Sequence, residues 1–448
     1  MFENKENGAK YIQLYNYYKN LIISGVMSSG EKMPSIRKCS QSFELSRTTV
    51  ETAYEMLAAE GYVISKAQSG FYVCSVDFTP LQFSKQTESA GHDESLIKYD
   101  LVSSSGDKSS FNFSLWRRYV KSALRQDERL LSYGEPQGEY DLREAICAYA
   151  GKERGVVSSP SQIVVAAGTQ NLIGILSAIT KERKNVVFVG SRFEQGKAVF
   201  EDYGKTVSAM IGVPDKISDL KSLVPSIIYT SPSHIDNWGG VLPSGKRIEI
   251  LNFAKENDCL IIEDDYDSEF RYYSRPVPSL QGMNGGQNVV YIGTFSKLLL
   301  PSIRISFMVL PQSLANIYKE RGKLYNQTAS KAEQIALCQY IRDGHLAAQI
   351  RKQKKQYVSK TKFICKRASE ILPKEFEFKE CQTSYLIRVT VKTEMSEFEF
   401  AKRCEKNGIK LKPVGYENEK ALLLVSVAGF SLDDCDDMLL RLGKTLSL

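Results

Sequence analysis

At 448 residues, with 42% hydrophobic and 25% charged residues, the chain has ordinary globular composition and length for about three domains with a large core. No apolar run approaches the ~20 residues that cross a bilayer, and Met1-Phe2-Glu3-Asn4-Lys5-Glu6-Asn7 is no signal peptide. Nine cysteines without a C-x-x-C pair read as reduced thiols of a cytoplasmic protein, and three histidines at no ligand spacing give no metal site.

The net charge of +7 points only weakly to nucleic acid, and residues 1–76 hold eight Lys or Arg against seven Asp or Glu. Pattern says more than bulk charge. Tyr11, Leu14, Tyr15, Tyr18, Leu21 and Ile22 recur at helical spacing up to Ser24-Gly25. Pro34-Ser35 opens a second helix with Ile36, Cys39 and Phe43 inward, and Leu45 closes a tight turn. Ser46 caps a third helix whose buried face is Val50, Ala53, Tyr54 and Leu57. Tyr62-Val63-Ile64 and Phe71-Tyr72-Val73 flank a polar tip and read as a hairpin. Three helices and a hairpin make a winged helix over 1–76, though a small protein-binding module has the same outline. In a winged helix the third helix enters the major groove. Ser46, Arg47, Thr48 and Thr49 then face DNA, with Lys66, Gln68 and Ser69 on the wing.

Residues 75–97 lack periodicity and are rich in Ser, Thr, Gln and acids, so 77–97 reads as a tether, or else as a loop packed on a domain. From Lys98 onward strands and helices alternate. Ile163-Val164-Val165-Ala166 runs through Gly168-Thr169-Gln170 into a helix whose first N–H groups can hold a phosphate. Val186–Val189, Ile227–Thr230, Leu260–Ile262 and Val289–Ile292 are continuous apolar strands of the buried parallel kind. An α/β fold with a doubly wound, mostly parallel sheet follows, its ligand at the strands' C-terminal ends. At those ends stand Asp264 and, 33 residues later, Lys297, with Arg304 seven positions further on. An amine condenses with an aldehyde, a guanidinium holds a phosphate, and a carboxylate pairs with a pyridinium. Pyridoxal phosphate carries all three groups. Taken singly, these residues would also suit surface cations and a helix cap. Beyond Pro311 come long amphipathic helices, one holding the basic run Arg351-Lys352-Gln353-Lys354-Lys355, which suits a solvated face or an auxiliary DNA contact. Tyr385–Val389 and Ala421–Val425 add strands of a small α+β domain.

Two resemblances join these parts. Gly30-Glu31-Lys32-Met33-Pro34-Ser35-Ile36-Arg37, Leu45-Ser46-Arg47-Thr48-Thr49-Val50, Ala53-Tyr54 and Glu60-Gly61-Tyr62 resemble the signature of GntR-type bacterial regulators. That resemblance implies that Arg37 contacts phosphate. Tyr133-Gly134-Glu135-Pro136-Gln137-Gly138, Gly168-Thr169-Gln170, Ser231-Pro232-Ser233-His234, Glu263-Asp264-Asp265-Tyr266 and Gly293-Thr294-Phe295-Ser296-Lys297 resemble type I fold aminotransferase-like proteins. Together they are similar to the MocR/GabR-type transcription regulators over nearly the whole chain. The resemblance implies 1–76 as DNA-binding domain, 77–97 as linker and 98–448 as cofactor domain, with a large subdomain of about 134–310 and a small one of about 311–448. It implies Lys297 as Schiff-base lysine, Asp264 against the pyridine nitrogen and Tyr266 on the ring hydroxyl. Gly168, Thr169, Gln170 and Arg304 would hold the phosphate and Phe193 would stack on the ring. Tyr133 would reach a partner subunit's phosphate, in a homodimer.

Three departures bear on function. Gly190-Ser191-Arg192-Phe193 stands where relatives carry a Glu-(Asp/Asn)-Pro run, and Ile235 follows His234 where a polar residue is common. The last strand, Leu422-Leu423-Leu424-Val425-Ser426, lacks the arginine that clamps a substrate carboxylate. A carboxylate-bearing effector would then rely on Arg192. The expectation is a regulator that binds operator DNA and senses pyridoxal phosphate or an amino compound. The alternative is a working aminotransferase with an accessory N-terminal domain.

Overall fold

A computed structural model describes residues 9–66, 69–74, 97–102, 111–191, 193–210, 212–235, 240–270, 277–381, 385–417 and 419–446. The chain divides into two compact units, Met1–His92 and Asp93–Leu448. Gln68, Arg192 and all of the expected linker except Ile97 lie outside the described residues.

The first unit consists of α1 (Lys10–Ile23), α2 (Ile36–Phe43), α3 (Arg47–Ala59), β1 (Val63–Lys66) and β2 (Gly70–Val73). Leu14, Tyr15, Tyr18 and Ile22 of α1 bury against Val50, Ala53, Tyr54 and Leu57 of α3, as the helical period requires. Ser35 and Ser46 each cap a helix, accepting from the Lys38 and Thr49 amides at 3.2 Å. Glu44, at φ 53°, turns the chain between α2 and α3 while Leu45 plugs the core. Cys39 is the buried residue of α2, and Ile36 and Phe43 are only half-buried at its edge. β1 and β2 pair antiparallel with Val63 opposite Val73, which completes a winged helix.

The second unit opens with β3 (Tyr99–Asp100), α4 (Phe113–Ala123), α5 (Asp127–Leu130) and α6 (Tyr140–Arg154). The sheet-building stretch follows: β4 (Ile163–Ala166), α7 (Thr169–Ile179), β5 (Asn185–Val189), α8 (Glu194–Asp202), β6 (Thr206–Met210) and β7 (Ile227–Thr230). It continues as α9 (Ser244–Glu256), β8 (Leu260–Asp265), α10 (Leu280–Asn284), β9 (Val289–Thr294) and β10 (Ser306–Val309). Seven strands line up as β4-β10-β9-β8-β7-β5-β6, parallel except β10, which runs against both neighbours. Both faces are covered, so alternate residues enter different cores. Val165, Tyr291 and Phe307 share one with Leu142 and Tyr340, whereas Val164, Phe188, Ile262, Ile292 and Met308 share another with Leu172 and Phe200.

The remaining elements are α11 (Gln312–Arg321), α12 (Lys331–Arg342), α13 (His345–Ile371), β11 (Phe376–Glu380), β12 (Leu386–Lys392), α14 (Glu397–Lys406), β13 (Ile409–Lys410), β14 (Gly415–Glu417), β15 (Lys420–Ser426) and α15 (Cys435–Gly443). β11-β12-β15-β14 form an antiparallel sheet, and β13 pairs in parallel with β3. On α13, Arg351, Lys352 and Lys355 are exposed while Gln353 is buried, so the basic run lies mainly on the outer helix face. Among the described residues no helix is long and apolar enough to cross a membrane.

Candidate functional site

A cavity of about 590 Å³ opens at the C-terminal ends of the parallel strands. Its lining includes Gly168, Thr169, Gln170, Phe193, Asp264, Tyr266, Lys297 and Arg304. Eight side chains or backbone positions scattered over 137 residues thus meet at one place.

Strand alternation sorts the three carboxylates of β8. Asp264 points into the cavity, where the Tyr229 hydroxyl donates to it at 2.6 Å. Its neighbours serve the fold instead. Glu263 accepts from the Leu280 and Gln281 amides at 2.9 and 3.0 Å, and Asp265 pairs with Arg154 at 2.6 Å. Burial raises the Asp264 pKa to about 6, against the lowering pull of Tyr229 and Lys297. Burial acts on Asp265 too, but Arg154, Ser233 and Ser268 hold it down at about 2. Asp264 and Asp265 are therefore pushed in opposite directions, the one in the cavity upward and the one paired with Arg154 downward.

Lys297 lies in the turn after β9, with Nζ 3.9 Å from the centre of the Tyr266 ring. His234 stacks on the same ring at 4.8 Å and 12° and is hydrogen-bonded to Asp267. Burial alone would lower the Lys297 pKa, yet Tyr385, Asp267 and Asp264 together keep it above the ordinary lysine value. On the far side, Gly168 precedes α7 at φ 90° and lies flat against Arg304, whose Nη2 would be 2.5 Å from a Cβ there. The first N–H groups of α7, at Thr169 and Gln170, sit beside the same guanidinium. Ser296 Oγ, also on the lining, is buried with no hydrogen-bond partner. Phe193 caps α8 and tilts at 32° to Tyr229, with ring centres 6.3 Å apart.

Tyr133 is not part of this lining; its side chain is 101% exposed. Sequence reasoning quoted Ser296 and His234 within motifs but gave no role to either, nor to Tyr229, Asp267 or Tyr385. Ser296 was readable as the residue before the lysine. Tyr229 lies in the strand beside β8 and could have been found by register, whereas Tyr385 had no local signal.

In the first unit Arg37, Ser46, Arg47 and Thr48 are exposed and Thr49 is half-buried. The Ser46 hydroxyl is already engaged, at 2.7 Å to Thr49 and 2.9 Å to Thr48, besides its cap. It shapes the start of α3, beside the exposed Arg47. On the wing Lys66 Nζ lies 4.7 Å from the Tyr72 ring centre and Lys32 Nζ at 5.7 Å, while Ser69 bonds the Tyr72 hydroxyl at 2.7 Å. Lys32 is a wing cation that the sequence reading did not single out.

Residues 10–73 match the family of bacterial regulatory proteins of the gntR type, and residues 104–442 match aminotransferase class I and II. An uncharacterized HTH-type transcriptional regulator of Bacillus subtilis, YdeL, is 34% identical over 95% of this chain and 94% of its own. The probable rhizopine catabolism regulatory protein MocR of Rhizobium meliloti is 29% identical over 79% of this chain and 77% of its own. Among solved structures, a kynurenine aminotransferase of Pyrococcus horikoshii superposes with a TM-score of 0.66 at 20% identity, covering 78% of this chain and 90% of that one. With a gntR-type winged helix ahead of an aminotransferase fold, and relatives alike over almost its full length, the chain belongs to the MocR-type transcription regulators.

Proposed function

We propose that this regulator binds operator DNA through residues 1–76 and responds to pyridoxal phosphate captured in the cavity of residues 98–448, with 77–97 as the tether between them. The observation that carries the reading is the pairing of Asp264 and Lys297 with the Gly168–Arg304 cradle in one cavity. The residues present fit the cofactor. The orphaned Ser296 hydroxyl, the α7 amides and Arg304 suit a phosphate, and a buried carboxylate suits a ring nitrogen. Bound there, pyridoxal phosphate supplies an aldehyde that takes an amine and a ring that withdraws electrons. Lys297 offers the amine, Asp264 the counter-charge, Tyr266 a bond to the ring hydroxyl and Phe193 an apolar wall. Thr169, Gln170, Ser296 and Arg304 hold the phosphate.

Sensing is favoured over amino-acid turnover by the charge of the lining. Among the described residues lining the cavity the only Lys or Arg are Lys297 and Arg304, both engaged by the cofactor in this reading. A carboxylate-bearing substrate would lack an anchor there, and the strand position facing Arg388 across the small sheet is Leu424. Arg192 is the remaining candidate for an amino compound. Arg37, Arg47, Thr48, Thr49, Lys66 and Ser69 make up the DNA face, with Gln68 at the wing tip. A homodimer in a cytoplasmic setting completes the reading, with exposed Tyr133 reaching the partner's phosphate site.

The test is borohydride reduction of the full chain with added pyridoxal phosphate, followed by peptide mapping. An adduct on Lys297 that disappears in Lys297→Ala supports the reading, and an undiminished adduct in that variant refutes it. Common amino donors should release no sustained keto acid.

A further inference from the structure

The chain's excess of positive charge is gathered on one helix. α13 carries eight Lys or Arg and a single acid, Glu370, an excess of seven that equals the net charge of the whole chain, +7. The rest of the chain therefore sums to neutrality, and the winged helix of residues 1–76 sets eight cations against seven acids. Part of the helix's charge serves the fold. Lys360 is buried with its amine on the Phe430 carbonyl, and Arg367 is held by Glu370 and Asp436. Arg351, Lys352, Lys355 and Lys366 are exposed, and among the described residues none of the four has a carboxylate at ion-pair distance. At 3.6 residues per turn they fall within about 100° of arc, opposite the buried Ile350, Tyr357 and Ile364. They run along about 22 Å of helix, a length over which duplex DNA bears on the order of a dozen phosphate charges.

We propose that the outer face of α13 is a second DNA-binding surface, which grips the phosphate backbone of operator flanks beyond the bases that the winged helix reads. Attraction to duplex DNA grows with the number of phosphates neutralised, and an excess of one cation in residues 1–76 supplies little of it. A face kept for solubility alone would mix both signs of charge, whereas this one shows cations only and projects a field. Lysine and arginine side chains on a regular helix surface hold phosphates without reading bases, so the contribution is independent of sequence. The partner is DNA because residues 10–73 are a gntR-type winged helix, which keeps duplex at high effective concentration beside the rest of the chain. The proposal rests on the operator-binding reading for that identity alone.

The test titrates full-length protein into fluorescent duplexes over a salt series. One duplex is its own upstream DNA cut to two helical turns, about 20 bp, around the protected bases. The second extends that DNA by two turns on each side, and the third is a scrambled sequence of the longer length. Arg351→Gln, Lys352→Gln and Lys355→Gln, combined in one variant, remove up to three phosphate contacts. The slope of log affinity against log salt should flatten by about 2–3 on both long duplexes and stay as in wild type on the short one. The control removes the same charge elsewhere, through exposed Lys181→Gln, Lys216→Gln and Lys255→Gln, and should change no slope. An unmoved slope on the long duplexes, an equal loss on the short one, or an equal flattening in the control overturns the proposal. So does loss of binding to phosphatidylglycerol vesicles with every duplex unaffected, which would give the face to a lipid surface. Wild type that does not prefer upstream to scrambled DNA, while the α13 variant still flattens the slope on both long duplexes, would reject the operator reading and leave the α13 surface supported.

Discussion

Gly168→Ala separates the phosphate cradle from the fold that carries it. Gly168 has φ 90° and ψ 166°, a region that residues with a Cβ essentially never enter, so the substitution costs about 1–3 kcal/mol of backbone strain. The new methyl would also stand 2.5 Å from Arg304 Nη2, about 1 Å inside contact distance. That clash is relieved cheaply in stability, because the guanidinium is the far end of a flexible chain. What the withdrawal removes is the placement of the fork toward a phosphate, a charge-assisted bond of about 1.5–3 kcal/mol. Cofactor affinity should fall roughly 10- to 150-fold, read by titrating the visible absorbance of the full chain. Gly204→Ala is the control: its φ is 71°, nothing lies within 4 Å of its Cβ position, and it should lose stability alone. Wild-type affinity in Gly168→Ala would refute the cradle, as would an equal loss of affinity in Gly204→Ala.

Asp264→Asn should raise the melting temperature of the cofactor-free protein at pH 8 while weakening cofactor binding. The folded carboxyl titrates at about 6 against an ordinary 3.8, so its stabilising contribution is complete below 3.8 and lost as pH rises through 6. The gain has an upper bound of roughly 3 kcal/mol. Tyr229→Phe removes the 2.6 Å bond that holds Asp264 down, so cofactor binding should weaken at pH 6.5 and recover at pH 8, with absorbance titrations at both as the check. Arg47→Ala should cost about 1–3 kcal/mol of operator affinity and relax one base position if it reads a guanine, as a panel of single-base operator variants would reveal. Ser46→Ala should cost about 1 kcal/mol of winged-helix stability through the lost cap, measured by thermal melting.

The parallel sheet was legible because Val186–Val189, Ile227–Tyr229, Leu260–Ile262 and Val289–Ile292 run without a charged or small polar residue, as strands covered on both faces do. Lys297 and Asp264 were legible for a related reason: polar groups at the ends of such runs must face the rim. β6 escaped notice because Thr206–Met210 is an edge strand without a buried face. The reversal of β10 could not be read either, since a four-residue run buried on both faces looks the same in either direction. The Tyr229–Asp264 bond and the His234–Asp267 pair join residues more than 30 positions apart, and sequence spacing carries no trace of them. Tyr385 follows residues 382–384, outside the described part, with no pattern that points at the lysine. In the winged helix the caps were legible, whereas the engagement of Ser46 by two threonines needed coordinates.

The central claim is that ligand capture at Lys297 governs DNA binding by the same chain. The most direct measurement is retardation of the protein's own upstream DNA at fixed salt, with and without pyridoxal phosphate, for wild type and Lys297→Ala. The account predicts a ligand-dependent change in DNA affinity in the wild type that is absent in Lys297→Ala, while ligand-free binding is alike in both. Equal retardation with and without the ligand in the wild type, together with steady keto-acid release from a common amino acid, would contradict it in favour of an enzyme.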